Sequence, residues 1–156
     1  MTETFVLFEV DHATYAARSE QVVRVEMVDS ITHVPNTPDF IQGVTAVRGH
    51  VIPVIGLRQR FHLPPAAPDY RTRLVVIRIE NRQVGLLADS AREFIRIDPD
   101  QIHPVPEGLS GPGVQYLDGV VNLNNRLILV VNLPRLIDPD ERAAISAAGF
   151  EPTQGE

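Results

Sequence analysis

The sequence predicts a mainly β protein, built as a pseudo-repeat of small closed β units with little helix. Three observations carry this. Apolar runs of strand length, rich in Val, Ile and Leu, recur through the 156 residues. Residues 40–61, FIQGVTAVRGHVIPVIGLRQRF, align without a gap to residues 116–137, YLDGVVNLNNRLILVVNLPRLI, with Gly43/Gly119, Val44/Val120, Ile52/Ile128, Val54/Val130 and Leu57/Leu133 identical. Upstream, FVLFEVDHATYAA (5–17) aligns in the same way to LVVIRIENRQVGL (74–86).

Each copy thus reads hairpin, connector, hairpin. In the first hairpin, a polar turn (Asp11-His12-Ala13, or Glu80-Asn81-Arg82) separates two apolar runs. In the second, Arg48-Gly49 and Asn124-Asn125 hold the same place, and Gly and Asn tolerate the positive φ of a two-residue turn. The flanking strands are apolar on successive residues (Val51-Ile52, Leu127-Ile128-Leu129), so both faces must be covered. That favours small barrels packed together over one sheet with a wet face. Pro53 lacks a ladder donor, so it belongs at a bulge or where its strand faces no partner; its sister Leu129 makes the proline dispensable to the architecture.

Helix is expected in short pieces: one turn at Thr37-Pro38-Asp39-Phe40-Ile41, ended by Gly43, and another at Ser19–Val23. A longer C-terminal helix is expected over 138–149, with Asp138 as cap, Pro139 first, Glu141 completing a capping box and Gly149 as stop; a frayed tail, 150–156, follows. The chain reads as a single domain over 5–137, with copies at 5–61 and 74–137 and a Pro-rich linker at 62–73.

Composition excludes several classes. There is no cysteine, hence no disulfide, thiolate metal site or thiol nucleophile. A net charge of −6 opposes non-specific binding to nucleic acid or anionic lipid, and sparse aromatics supply few stacking platforms. No basic start precedes an apolar core at the N-terminus, and no apolar run reaches the ~20 residues of a membrane helix, so a cytoplasmic protein without direct membrane insertion is expected. There is no lysine; a genome-wide coding bias explains this without selection at each site, although arginines also make multi-donor contacts favoured at protein interfaces.

Nothing points to catalysis. His12, His33, His50, His62 and His103 are scattered without ligand spacing, so no metal or cofactor is expected. No serine lies in a G-x-S-x-G elbow, and GLSGPG (108–113) reads as a turn, since it does not follow a strand and open a helix. Asp89 ends a strongly apolar strand and reads as a structural cap on the amides of the next turn, with a salt bridge or partner contact as the alternative.

One combination is more specific. Phe5-x-Leu7, Tyr15-Ala16, Val34-Pro35-Asn36-x-Pro38-x-Phe40-Ile41-x-Gly43-Val44, Arg48-Gly49, Pro53-Val54-Ile55-x-Leu57-Arg58-x-Arg60-Phe61, Val84-Gly85-Leu86-Leu87-x-Asp89 and Leu127-Ile128-Leu129 stand in order over residues 5 to about 137. This pattern resembles the CheW family of chemotaxis coupling proteins; its R-G-x-x-x-P-V-x-x-L block is the most specific part. The resemblance implies two SH3-like five-stranded β-barrel subdomains with a hydrophobic core between them. It also implies a non-catalytic adaptor that docks on the regulatory domain of a CheA-type histidine kinase and on the cytoplasmic tip of chemoreceptors.

Receptor contact in the family uses the groove between barrels, where Arg48, Gly49 and Gly43 stand at matching positions and Val22 and Val25 match an apolar pair. The bland alternatives are a solvated hairpin tip for Arg48 and core packing for Val22 and Val25. The chain departs from the family at Arg24, where a Glu is usual and where Glu26 follows, and at Gly56, where a strand-end Asp is usual. Arg24 therefore joins the receptor-binding candidates, while Asp89, Pro53 and Gly119 are structural. An adaptor of a non-flagellar pathway, such as twitching motility or surface sensing, fits the same residues; a small-barrel nucleic-acid binder is a third reading.

Overall fold

Two-residue turns set the architecture. Asp11-His12, Arg48-Gly49 and Asn124-Asn125 all have positive φ at both residues, and Glu80 does so in the fourth turn. That backbone matches the right-handed twist of two antiparallel strands. The computed structural model describes residues 1–109, 111, 113–137 and 141. The expected helix over 138–149, Glu141 apart, and the tail 150–156 lie outside the described residues.

The turns join β1 (Glu3–Val10) to β2 (Ala13–Arg18), β4 (Ile41–Val47) to β5 (His50–Gly56), β6 (Arg73–Ile79) to β7 (Arg82–Ala88), and β9 (Leu117–Leu123) to β10 (Arg126–Val131). β3 (Val22–Glu26) follows the first hairpin and β8 (Ser90–Ile97) the third. The strands form two five-stranded sheets, in the orders β8-β1-β2-β10-β9 and β3-β6-β7-β5-β4. The chain is thus mainly β, as the sequence predicts.

The sheets do not coincide with the sequence copies. The first sheet joins the early hairpin of copy one to the late hairpin of copy two, through a parallel pairing of β10 with β2. The second joins β6-β7 of copy two to β4-β5 of copy one, through the matching parallel pairing of β5 with β7. In sequence, the second sheet is one continuous stretch, and the first is split around it.

The edges of each sheet are drawn together by an isolated bridge. Thr32, beyond β3, exchanges two backbone hydrogen bonds with Val44 of β4 (2.8 and 2.9 Å). His103, beyond β8, does the same with Val120 of β9 (2.9 and 2.8 Å). Val44 and Val120 are repeat mates, and each follows a repeated glycine over which the closing segment crosses. A Cβ on Gly43 would lie 2.0 Å from the Thr32 carbonyl oxygen, and one on Gly119 2.6 Å from that of His103. The repeated glycines are therefore a steric requirement of closure.

Successive apolar residues are explained by three cores. Leu74 and Val76 of β6 pack inside the second sheet with Val47, Ile52 and Val54. Val75 and Ile77 point the other way, into a large central cluster with Phe8, Ile55, Phe61, Tyr116 and Leu133. Phe5, Leu7, Ala16, Ile128 and Val130 fill the first sheet. Both faces of β6 are buried along Leu74–Ile77, each such side chain contributing roughly 1.5–3 kcal/mol relative to exposure. Val51 and Leu127, which the sequence reading expected to be covered, are instead exposed next to their hairpin turns.

The helical elements are short. α1 (Leu57–Arg60) and α2 (Leu133–Leu136) follow β5 and β10 at repeat-equivalent positions, where the sequence reading placed no helix. The turn expected at 19–23 is a single 3-10 turn over Ser19–Gln21, and Val22 and Val23 belong to β3. The turn expected at Thr37–Ile41 is not helical. The Ile41 amide donates to the Pro38 carbonyl, and the Thr37 hydroxyl donates back to Val34 instead of capping forward. Gly43 lies inside β4, where it serves closure and does not stop a helix.

Candidate functional site

The residues singled out in the sequence fall into three places. The first is the tip of the β4–β5 hairpin. Arg48 is 66% exposed at its side chain, yet its guanidinium is engaged: Nε donates to Glu26 Oε1 at 3.0 Å, and Nη2 lies at the same distance. Gly49, at φ 84°, has open space where a Cβ would stand. The tip is thus tied to the end of β3.

The second place is β3. Its register against β6, with a bulge after Val22, sets Val22 opposite Ile77, Arg24 opposite Val76, Val25 opposite Val75 and Glu26 opposite Leu74. Val22 and Val25 pack, partly exposed, against the central cluster between the sheets. Arg24 and Glu26 take the opposite face, toward the interior of the second sheet. The structure therefore separates the six receptor-binding candidates: Val22 and Val25 face the seam, Arg24, Arg48 and Gly49 belong with Glu26 to the mouth of the second sheet, and Gly43 lies apart in β4. Gly43 is buried beneath the crossing chain. Arg24 Nη1 is buried and has no hydrogen-bond partner.

The third place joins the two sheets. Asp89, between β7 and β8, receives two hydrogen bonds from Arg58 of α1, at 3.0 and 2.7 Å, and one from the Asp11 amide at 2.8 Å. Its own amide donates to the Glu9 carbonyl. The amide it caps is thus in the β1–β2 turn, not in the turn that follows, and the salt bridge weighed as the alternative is present. Arg58 hydrogen bonds, followed by the Asp11 amide, hold the Asp89 carboxyl below the ordinary carboxylate range against the opposing effect of burial. Arg58 also donates to the Pro64 carbonyl at 2.8 Å, pinning the Pro-rich linker. A cavity of about 230 Å³ lies beneath that linker, lined by Glu9, His12, Arg58, Arg71 and Asp89 among others.

Pro53 sits opposite Val44. Val44 directs its amide and carbonyl to Thr32, and the β5–β7 ladder begins only at Val54, so the missing donor leaves no ladder bond unmade. In copy two, Leu129 extends the equivalent ladder by pairing with Tyr15.

Sequence reasoning missed Arg60. Its guanidinium lies over the ring of Phe40 (4.2 Å to the centroid) and that of Tyr116 (5.0 Å), and it forks to Glu141 with bonds of 2.8 and 2.9 Å. Phe40 and Tyr116 are repeat mates, so their alignment was the available signal. Tyr116 also continues a row of aromatic rings through Phe61 and Tyr15 to Phe8. Val51 and Leu127, also repeat mates, are exposed apolar residues beside their hairpin tips.

Among the described residues, no group of three or more His, Cys, Asp or Glu is placed to hold a metal, and no helix is long and apolar enough to cross a membrane. A family model described as "CheW-like domain" matches residues 4–141. The chain is similar to the chemotaxis protein CheW of Klebsiella aerogenes, 30% identical over 143 residues that cover 92% of this chain and 86% of that one. It is also similar to Protein FrzA of Myxococcus xanthus, 32% identical over 92% of this chain and 91% of that one. Among solved structures, it is similar to the scaffolding protein TtCheW from Thermoanaerobacter tengcongensis, with a TM-score of 0.80 at 28% identity, covering 90% of this chain and 91% of that one.

Proposed function

The chain belongs to the CheW-like domain family, and on that footing we propose that it is a non-catalytic adaptor coupling chemoreceptors to a CheA-type histidine kinase. The observation that carries the reading is the family match over both sheets, together with likeness to proteins named for chemotaxis and for scaffolding. Two sheets of similar build, with exposed apolar mates at Val51 and Leu127, suit a protein that holds partners together. The seam carrying Val22 and Val25 suits the apolar ridge of a receptor's helical tip. Arg48 and Arg24, at the mouth of the second sheet, would border that tip. The protein would work in the cytoplasm, at receptor arrays reached through its partners, without cofactor, nucleic acid or membrane insertion of its own.

The test is co-purification with the regulatory domain of a CheA-type kinase encoded beside this chain. Complex formation is expected; no binding at tens of micromolar overturns the reading. A second reading, an adaptor for a pathway that does not serve flagella, is favoured by one observation. Protein FrzA, a relative not named for chemotaxis, is as similar to the chain as those that are. Deleting the gene and scoring swimming against surface movement separates the two.

A further inference from the structure

Arg60 stands where the two halves of the molecule meet, and its surroundings are those of a ligand seat. Its side chain is 11% exposed. Phe40 and Tyr116, which hold the same position in the two sequence copies, both present their rings to the guanidinium. Glu141 fills the space in front of the fork with two charge-assisted hydrogen bonds. Arg60 Nε is buried and has no hydrogen-bond partner, so the guanidinium keeps a donor that its present occupant does not use.

A buried guanidinium needs a carboxylate, and planar aromatic walls with a forked donor select one by shape as well as by charge. We propose that Arg60, Phe40 and Tyr116 form a carboxylate-binding seat between the two sheets, filled in cis by Glu141, and that an acidic side chain on a partner peptide exchanges with Glu141. Glu141 is then an internal competitor: while it is seated, an incoming acid must displace it. An acid engaging Nε as well as a terminal nitrogen satisfies a donor that Glu141 leaves bare. The seat is assigned from the chain's own residues and stands apart from the identity of any receptor or kinase.

The experiment uses the full chain and a synthetic peptide of residues 136–146, beside the same peptide with its glutamate changed to glutamine. The Glu141→Gln chain is expected to bind the glutamate peptide at least about tenfold more tightly than the glutamine peptide, as one charge-assisted pair dictates. The unaltered chain should bind it more weakly, because its own Glu141 competes, and Arg60→Gln should abolish the preference. Equal binding of both peptides, or no binding of either, by a Glu141→Gln chain that keeps its melting transition overturns the proposal. If Glu141→Gln unfolds the chain, the Arg60 Nε–H resonance of the unaltered protein is followed as peptide is added in excess. A shift with the glutamate peptide alone supports the seat; no shift, or the same shift with both, overturns it.

Discussion

Arg48, at the tip of the β4–β5 hairpin, places its Nη2 3.0 Å from Oε1 of Glu26 at the end of β3. The arginine in the Arg-Gly turn is therefore a tie across the mouth of a sheet as well as a candidate contact. Its exposure keeps the pair's worth small, about 0.5–1 kcal/mol. Arg48→Glu and Glu26→Arg should each lower the melting temperature slightly, and the double exchange should restore it. If Arg48 also touches a receptor, the double variant will melt normally and still bind receptor weakly. Recovery of both properties would reduce Arg48 to a scaffold residue.

Asp89 gives a dependence on pH. Its folded carboxyl titrates below the ordinary carboxylate value, first because Arg58 hydrogen-bonds to the ionised form. The stabilisation is fully present above the ordinary value of about 3.9 and is lost as pH falls through the lower folded value. Asp89→Asn should cost about 2 kcal/mol at neutral pH, or roughly 4–8 °C in a melt. The gap from the unaltered protein should narrow in melts repeated near pH 3. A gap that stays constant would mean that charge at Asp89 contributes nothing.

The crossing glycines should rank by geometry. Gly43→Ala sets a Cβ against backbone and also strains a φ of +149°, so a loss of about 3 kcal/mol or more is expected. Gly119→Ala meets the His103 carbonyl less closely, for about 2 kcal/mol. Gly49→Ala has open space and only backbone strain, about 1 kcal/mol. Urea denaturation gives the order directly, and Gly49→Ala proving the worst would contradict the closure account.

Gly56 is the place where supplying the cap that copy two has should help. In copy two, Asn132 caps α2 by accepting from the Arg135 amide at 3.1 Å; in copy one, Gly56 leaves α1 uncapped. At φ −78°, its backbone suits any residue, and the atom nearest a new Cβ is the movable end of Gln59. Gly56→Asn should therefore raise stability by about 0.5–1 kcal/mol once Gln59 swings aside and Gln42 Cγ, 2.9 Å from the new Cβ, gives way. Destabilisation in the same urea assay would show that Gln59 and Gln42 cannot yield.

Strands and turns were legible because they rest on local chemistry: period, turn residues and the alignment of the two copies. α1 and α2 were not, since Leu57-Arg58-Gln59-Arg60 is too short to carry a helical period. Nor did the sequence reveal that Val22 and Val25 share a face, because strict alternation would put Val22 with Arg24, and the bulge after Val22 is set by pairing with β6. Asp89 looked like a local cap, yet the groups that bind it, Arg58 and the Asp11 amide, are 31 and 78 residues away. Partners at such separation leave no mark in a single sequence. Arg60 stayed hidden for the same reason, although the alignment of Phe40 with Tyr116 marked its walls.

The exchange of hairpins between copies has a consequence for the order of assembly during synthesis. Every strand of the second sheet has been translated once Ala88 leaves the ribosome, so that sheet can form while the rest is being made. The first sheet begins at Glu3 but must wait for Val131. In the interval, β1 and β2 hold an apolar hairpin whose permanent neighbour does not yet exist, and the nascent chain must keep it from pairing with other chains.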